Sequence, residues 1–309
     1  ILCHTKKVSD KNRLIARIPK MFSKSLAHWL AIAFLWLSST VYVSAVALAG
    51  PDIRSGAALV IDHNGQRLYG KNTTDVRAIA SITKLMMAMV VLDADVPLED
   101  RITITEQDRD RLRWSRSRLR IDQATLSRRD MLRVALMSSD NRAAASLGRT
   151  TFAGGTPDFV AAMNDKAAAL GMRDSHFADA SGLDAANQST AEDLIRMLHA
   201  SSQYPFIREV TSTGAFTAHP YADGGTLEYR NTNPLVRDAR WNVELSKTGY
   251  ISEAGRCLVM QAVVAKRRLY IVLLNAQGKR TPVADVIRLR NWLNSSADQR
   301  TASVAGSGG

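Results

Sequence analysis

Apolar positions change their period along this chain, and the changes divide it into strand-like ends and a helical middle. Ala57 to Asp62 and Gln66 to Lys71 read as two strands joined by the turn His63-Asn64-Gly65. Ile82, Leu85, Met86, Met89 and Val90 then recur at three- and four-residue steps, which predicts a buried helix from Ile82 to Leu92. After a short alternating stretch, Arg101 to Thr105, Ser127 can cap a helix through Met131, Leu132, Ala135 and Leu136. Ser138-Ser139-Asp140-Asn141 interrupts it, and Ala143 to Leu147 resumes helical spacing. Polar groups wedged between two apolar helical runs predict a buried turn whose groups need partners. Pro157 to Leu170 is a further helix stopped by Gly171, 179–188 is a loop, and Ser189-Thr190-Ala191-Glu192 reads as a capping box opening a helix to Ala200. Strands return at Trp241 to Leu245, Arg256 to Val264 and Leu269 to Asn275, and Pro282 to Leu293 closes the pattern as a helix.

Strands, then helices, then strands predict an α+β fold. Its antiparallel sheet is made from both chain ends and flanked by helices. The α/β part takes about 50–93 and 216–294, with a mainly helical insert at about 94–215. The Ser/Ala/Gly-rich stretch 295–309 is expected to be a disordered tail.

Charge changes the picture at the N-terminus. The 309 residues carry a formal charge of +12. Lys20 and Lys24 flank Met21, Leu26 to Val43 is largely apolar, and Ala47-Leu48-Ala49 is a small-x-small cleavage site. Residues 1–49 therefore read as an upstream extension plus a signal peptide, or an N-terminal membrane anchor if it is uncleaved. Either way the body of the protein is exported, into the periplasm on the reading below. The two cysteines are Cys3, in that segment, and Cys257, in an apolar run where a buried strand thiol is expected.

A second basic feature, Arg109, Arg111, Arg113, Arg116, Arg118 and Arg120 around Trp114, could bind a nucleic acid or a glycan; the favoured reading is a solvated loop with Asp108 and Asp110 offsetting part of its charge. Export argues against nucleic acid as its partner. His176, His199 and His219 show no metal-ligand spacing, so neither a metal nor a cofactor is expected.

The candidate chemistry starts at Ser81-Ile82-Thr83-Lys84. On a helix start, this spacing puts an amine on the same face as a hydroxyl that needs a base to become a nucleophile. Two more elements follow in order, Ser139-Asp140-Asn141 on the interhelix turn and Lys247-Thr248-Gly249 on a strand. With all three, the chain resembles the penicillin-recognising serine D-alanyl-D-alanine peptidases. Ala80 to Val91, Leu136 to Leu147 and Asn231 to Val236 are most similar to the periplasmic murein endopeptidase branch, the penicillin-binding protein 7 type.

The resemblance implies an acyl-enzyme on Ser81, with Lys84 as base and Ser139 as proton relay to the leaving amine. It implies that Asn141 holds a substrate amide and that Lys247 and Thr248 bind the substrate carboxylate. Gly249 completes that motif, and the backbone N–H groups of Ser81 and Tyr250 form the oxyanion hole. A free lysine titrates at about 10.4, so Lys84 must be depressed, by burial and by the charge of Lys247. The implied partners are peptidoglycan peptide stems, cut at D-alanyl–meso-diaminopimelyl crosslinks, and β-lactams as covalent inhibitors. Carboxypeptidase action is the alternative. A β-lactamase of class A would need a glutamate with asparagine four residues on, and Glu192, Glu209, Glu228 and Glu244 all lack it. A non-catalytic peptidoglycan-binding protein is the remaining reading, against which the intact motifs argue.

Overall fold

The structure, a computed structural model, describes residues 50–305. The expected signal segment and Cys3 therefore lie outside the described residues. Strands β1 (Ala57–Asp62), β2 (Arg67–Lys71), β9 (Asn242–Ile251), β10 (Gly255–Val264) and β11 (Arg267–Ala276) form one sheet in the order β2-β1-β11-β10-β9. All four pairings are antiparallel, and β1 lies on β11 from Ala57↔Leu274 to Asp62↔Leu269. The sheet is thus assembled from both ends of the chain, as expected.

The strands read as continuous apolar runs because both faces are covered. Ala58 and Val60 of β1, Leu258 and Met260 of β10, and Ile271 and Leu273 of β11 pack toward Val286, Leu289 and Leu293 of the last helix. Their neighbours Ala57, Leu59, Cys257, Val259, Val272 and Leu274 join the larger core on the other face. The period of two puts alternate residues into separate cores.

Helices α1 (Thr83–Asp93), α2 (Arg128–Met137), α3 (Asn141–Thr150), α4 (Thr156–Ala169), α5 (Ala191–Ser201) and α6 (Pro205–Ser212) build that larger core, and α7 (Thr281–Ala305) covers the opposite face. Short antiparallel pairs brace the helical part: β3 (Arg77–Ala78) with β6 (Gln188–Ser189), β4 (Arg101–Thr103) with β5 (Thr125–Ser127), and β7 (Ala215–Ala218) with β8 (Leu227–Arg230). Among the described residues no helix is long and apolar enough to cross a membrane.

Three local expectations are corrected. The cap of α5 is Thr190, whose side chain accepts from Asp193 N. Glu192 instead accepts from the Thr73 hydroxyl at 2.8 Å, so the expected Ser189–Glu192 box is shifted by one residue. The tail expected to be disordered from 295 continues α7 as far as Ala305, since no Gly or Pro interrupts it before Gly306. Asp108 is buried and paired with Arg149 at 2.9 Å, so it does not offset the arginine loop.

The two chain ends are tied by one carboxylate. Asp285 on α7 is fully buried and accepts from Arg54 N at 3.0 Å, Ser55 N at 2.8 Å and the Ser55 hydroxyl at 2.6 Å. Arg288 donates to it at 2.7 Å. Asp285→Ala orphans these donors at the entrance to β1 and is expected to cost about 3 kcal/mol, read as a lower urea midpoint with an unchanged slope.

Candidate active site

Helix α1 is apolar nearly all round and buried from Thr83 to Val91, so it has to run through the middle of the core. It carries Lys84 there with no solvent exposure, a position tolerable only if every donor of the amine finds an acceptor. Nζ donates to Ser81 Oγ at 2.9 Å, Asn141 Oδ1 at 2.7 Å and the Ser181 carbonyl at 2.6 Å. Ser81 stands in the 3-10 turn Ala80–Ile82 that leads into α1, and Ala80 before it has a left-handed φ of 49°.

The second element is the turn between α2 and α3. Ser139 has a φ of 62°, and Lys247 Nζ donates to its hydroxyl at 2.9 Å. Asp140 caps α3 by accepting from Ala143 N at 3.1 Å, and Ser117 Oγ donates to it at 2.8 Å. Its role is thus structural, and burial pushes its carboxyl upward. Asn141 Nδ2 donates to Ser115 Oγ at 2.8 Å, so its amide bridges Lys84 to the arginine loop.

The third element lies on β9, at the edge of the sheet. Lys247 is buried and also donates to the Thr248 carbonyl at 2.8 Å. Thr248 Oγ1 donates to Thr232 Oγ1 at 2.7 Å. Gly249 is required by contact: a Cβ there would stand 2.8 Å from the Ile79 carbonyl oxygen and 3.1 Å from Ser81 N. Gly182, at φ +80°, has the same duty on the other side, where a Cβ would collide with the Ala80 carbonyl. The turn bearing Ser81 is held between two bare backbones. Tyr250 is exposed, with the Arg256 guanidinium 3.7 Å from its ring centre.

Burial pushes Lys84 down to about 8, against the pull of Asp179 and Asp140. Burial also drives Lys247 well below the ordinary lysine value, and the Lys84 charge adds to that. Of the two causes expected to depress Lys84, burial and the charge of Lys247, burial is the leading one. Burial leads on both, and the repulsion between the two amines is a property of the pair. Two buried, electrostatically coupled amines disfavour being charged together.

The eight expected residues thus fall on three neighbouring segments. Ser81, Lys84 and Asn141 are in direct contact, as are Ser139 and Lys247, while Thr248, Gly249 and Tyr250 continue the strand. Four other contributors were not expected. Ser181 acts through its carbonyl, and Asp179 shapes that loop by accepting from Ser181 N at 2.6 Å and Asp184 N at 2.8 Å. Ser115 and Thr232 act through hydroxyls; of the four, only Thr232 lies in a stretch that carries the family resemblance, Asn231 to Val236. His199 packs on Tyr270, and among the described residues no group of three or more His, Cys, Asp or Glu could hold a metal. Cys257 is buried, and its thiol is pushed up to about 11 by burial.

Comparison with known proteins agrees with this geometry. The family model of D-alanyl-D-alanine carboxypeptidases, peptidase family S11, matches residues 44–278. A D-alanyl-D-alanine endopeptidase of Pseudomonas aeruginosa is 44% identical over 273 residues, covering 85% of this chain and 87% of that protein. One of Escherichia coli is 43% identical over 270 residues, covering 87% and 86%. The crystal structure of a Streptomyces DD-transpeptidase superposes with a TM-score of 0.73 at 25% identity, over 79% of this chain and 98% of that one. A match across most of the chain and a buried Ser–Lys pair flanked by the two other motifs lead to one conclusion: the chain belongs to the D-alanyl-D-alanine carboxypeptidase family, peptidase family S11.

Proposed function

We propose that this protein is a serine D-alanyl-D-alanine endopeptidase that hydrolyses D-alanyl–meso-diaminopimelyl crosslinks of peptidoglycan. The observation that carries the reading is the 2.9 Å contact between Ser81 Oγ and an amine that burial holds close to neutrality. The likeness to two endopeptidases over most of their length supports the crosslink as substrate. An exported, periplasmic location follows from that substrate.

In the reaction neutral Lys84 takes the Ser81 proton as Oγ bonds to the D-alanyl carbonyl carbon. The oxyanion faces the backbone N–H groups of Ser81 and Tyr250. As the C–N bond breaks, Ser139 passes a proton to the leaving amine, and Asn141 holds the substrate amide. Water then cleaves the ester and restores the Ser81 hydroxyl.

The leaving residue carries a carboxylate beside its amine, whether it is a terminal D-alanine or the D-centre of diaminopimelate. Thr248, paired with Thr232, and Lys247 receive that carboxylate. Its negative charge favours the charged form of Lys247, so the one proton of the lysine pair moves there and leaves Lys84 neutral. Substrate binding thereby generates the base. β-Lactams carry a carboxylate in the corresponding place and acylate Ser81. No glutamate contacts this cluster among the described residues; Glu192 is engaged by Thr73 and Arg67. The penicilloyl ester is therefore long-lived.

Digestion of purified muropeptide dimers should yield monomers, and Ser81→Ala should lower that rate by at least about a thousandfold. Release of terminal D-alanine from pentapeptide monomers with dimers intact would make the protein a carboxypeptidase instead. Fluorescent penicillin should leave one stable adduct on Ser81; rapid catalytic turnover of the drug would contradict this account.

The lysine pair makes a pH prediction. The reactive form holds one proton on the pair, so in the parent protein the second-order rate of acylation at low penicillin concentration, which reports the free protein, should fall as pH rises through about 8 and Lys84 loses its proton. Lys247→Ala should slow acylation at pH 7 by about tenfold and convert that fall into a rise, because Lys84 alone must then lose its proton. Matching profiles for the two proteins would refute the shared-proton mechanism.

A further inference from the structure

The arginine loop is not a random coil of charge. From 113 to 117 its odd residues turn inward, each onto a part of the site. Arg113 donates to the Leu183 carbonyl and pairs with Glu253 at 2.9 Å. Ser115 accepts from Asn141 at 2.8 Å, and Ser117 donates to Asp140 at 2.8 Å. Leu112, Trp114 and Arg116, the residues between and before them, are exposed. The loop is further fixed by Asp110, whose carboxylate accepts from Leu112 N at 2.9 Å, Arg113 N at 2.9 Å and Ser115 N at 2.7 Å.

This rigid ribbon presents an unusual outward face. Trp114 is 72% exposed and holds a φ of 54°, a left-handed conformation that is strained for a bulky residue. Leu112 is 60% exposed. The other arginines have partners: Arg109 and Arg111 bind Glu106, Arg118 stacks on Tyr229, and Arg120 stacks on Tyr221. Arg116, next to Ser115, has no partner among the described residues. An unpartnered indole and an unpartnered guanidinium therefore flank the residue that touches Asn141, itself 2.7 Å from Lys84.

We propose that Trp114 and Arg116 form a binding subsite for the glycan strand attached to the stem being cut, with the indole stacked on a pyranose ring and Arg116 on a stem carboxylate. The inference rests on the reading of the site as a peptidoglycan peptidase. Amphipathic sugar rings match an aromatic face that is open to water on one side. The stem supplies carboxylates that a planar guanidinium binds in a fork. Tryptophan and arginine are also the residue types on which recognition energy concentrates. Inward contacts of Arg113, Ser115 and Ser117 hold the strained backbone of Trp114, so the point from which the indole projects is fixed before a ligand arrives.

The test compares crosslinked dimers that carry disaccharides with the same dimers stripped of sugar. Trp114→Ala should lower kcat/KM for the sugar-bearing dimer by about tenfold, mainly through KM, and leave the stripped dimer within about twofold. Trp114→Phe should retain most of the activity, while Arg116→Glu should weaken both substrates by about tenfold. Fluorescent-penicillin labelling should be unchanged in all three variants, which shows that the site is intact. Equal loss on both dimers with Trp114→Ala, or no loss on either, overturns the subsite. A second readout does not depend on cleavage: Ser81→Ala protein should sediment with purified sacculi, and adding Trp114→Ala should weaken that binding by about fivefold or more. If the parent labels with penicillin but cuts no dimer, the endopeptidase reading fails by itself, and sedimentation unchanged by Trp114→Ala overturns the subsite.

Discussion

An amine with no exposure to water, at the start of an apolar helix, is the constraint on which this structure depends. Lys84 sits where Leu or Met would be expected, and an unpartnered buried ammonium there would cost several kcal/mol. Its three acceptors are Ser81 in the adjoining turn and, from two distant stretches of chain, the first residue of α3 and the 179–184 loop. Satisfying this one group therefore brings together the parts a serine peptidase needs. The same burial that makes the lysine expensive pushes its amine down to about 8, which suits it to the role proposed for it.

Lys247 repeats the arrangement from the sheet side, and its proximity makes the two amines a single titrating unit. A substrate with a carboxylate at the right distance from the scissile carbonyl completes the charge pattern that the empty site lacks. Peptides without that group leave the proton on the wrong lysine. In the mechanism proposed above, discrimination and activation are one event.

Much of this was legible in the sequence, and the limits have physical causes. β1 was readable residue by residue because the His63-Asn64-Gly65 turn and the two-sided burial of Ala57 to Asp62 both leave local marks. Ser81, Ser139 and Lys247 were readable from the order of three short motifs. Ser181 was not, because it acts through a carbonyl that any residue supplies. Ser115 and Thr232 were hidden for another reason: a hydroxyl gains its role only when the fold brings Asn141 or Thr248 to it. The α5 cap slipped by one residue because Ser189 and Thr190 are equally good caps. β6 pairing with β3, a tertiary contact, takes Ser189. The helical stretch beyond 295 was misread because its composition resembles a linker, although Ala, Gln and Arg also favour helix.

The pairing of β1 with β11 also governs when this protein can fold. Ala57 finds Leu274 only after nearly the whole intervening chain exists, and the 230-residue link from Ser55 to Asp285 lies later still. No subset of N-terminal residues can close the sheet, so a nascent or threading polypeptide has no early stable nucleus at its leading end. The topology of the sheet thus keeps β1 unpaired on its β11 side until synthesis has passed Ala276. The turn that bears Ser81, packed against Gly249 of β9, is completed only once those last strands have arrived.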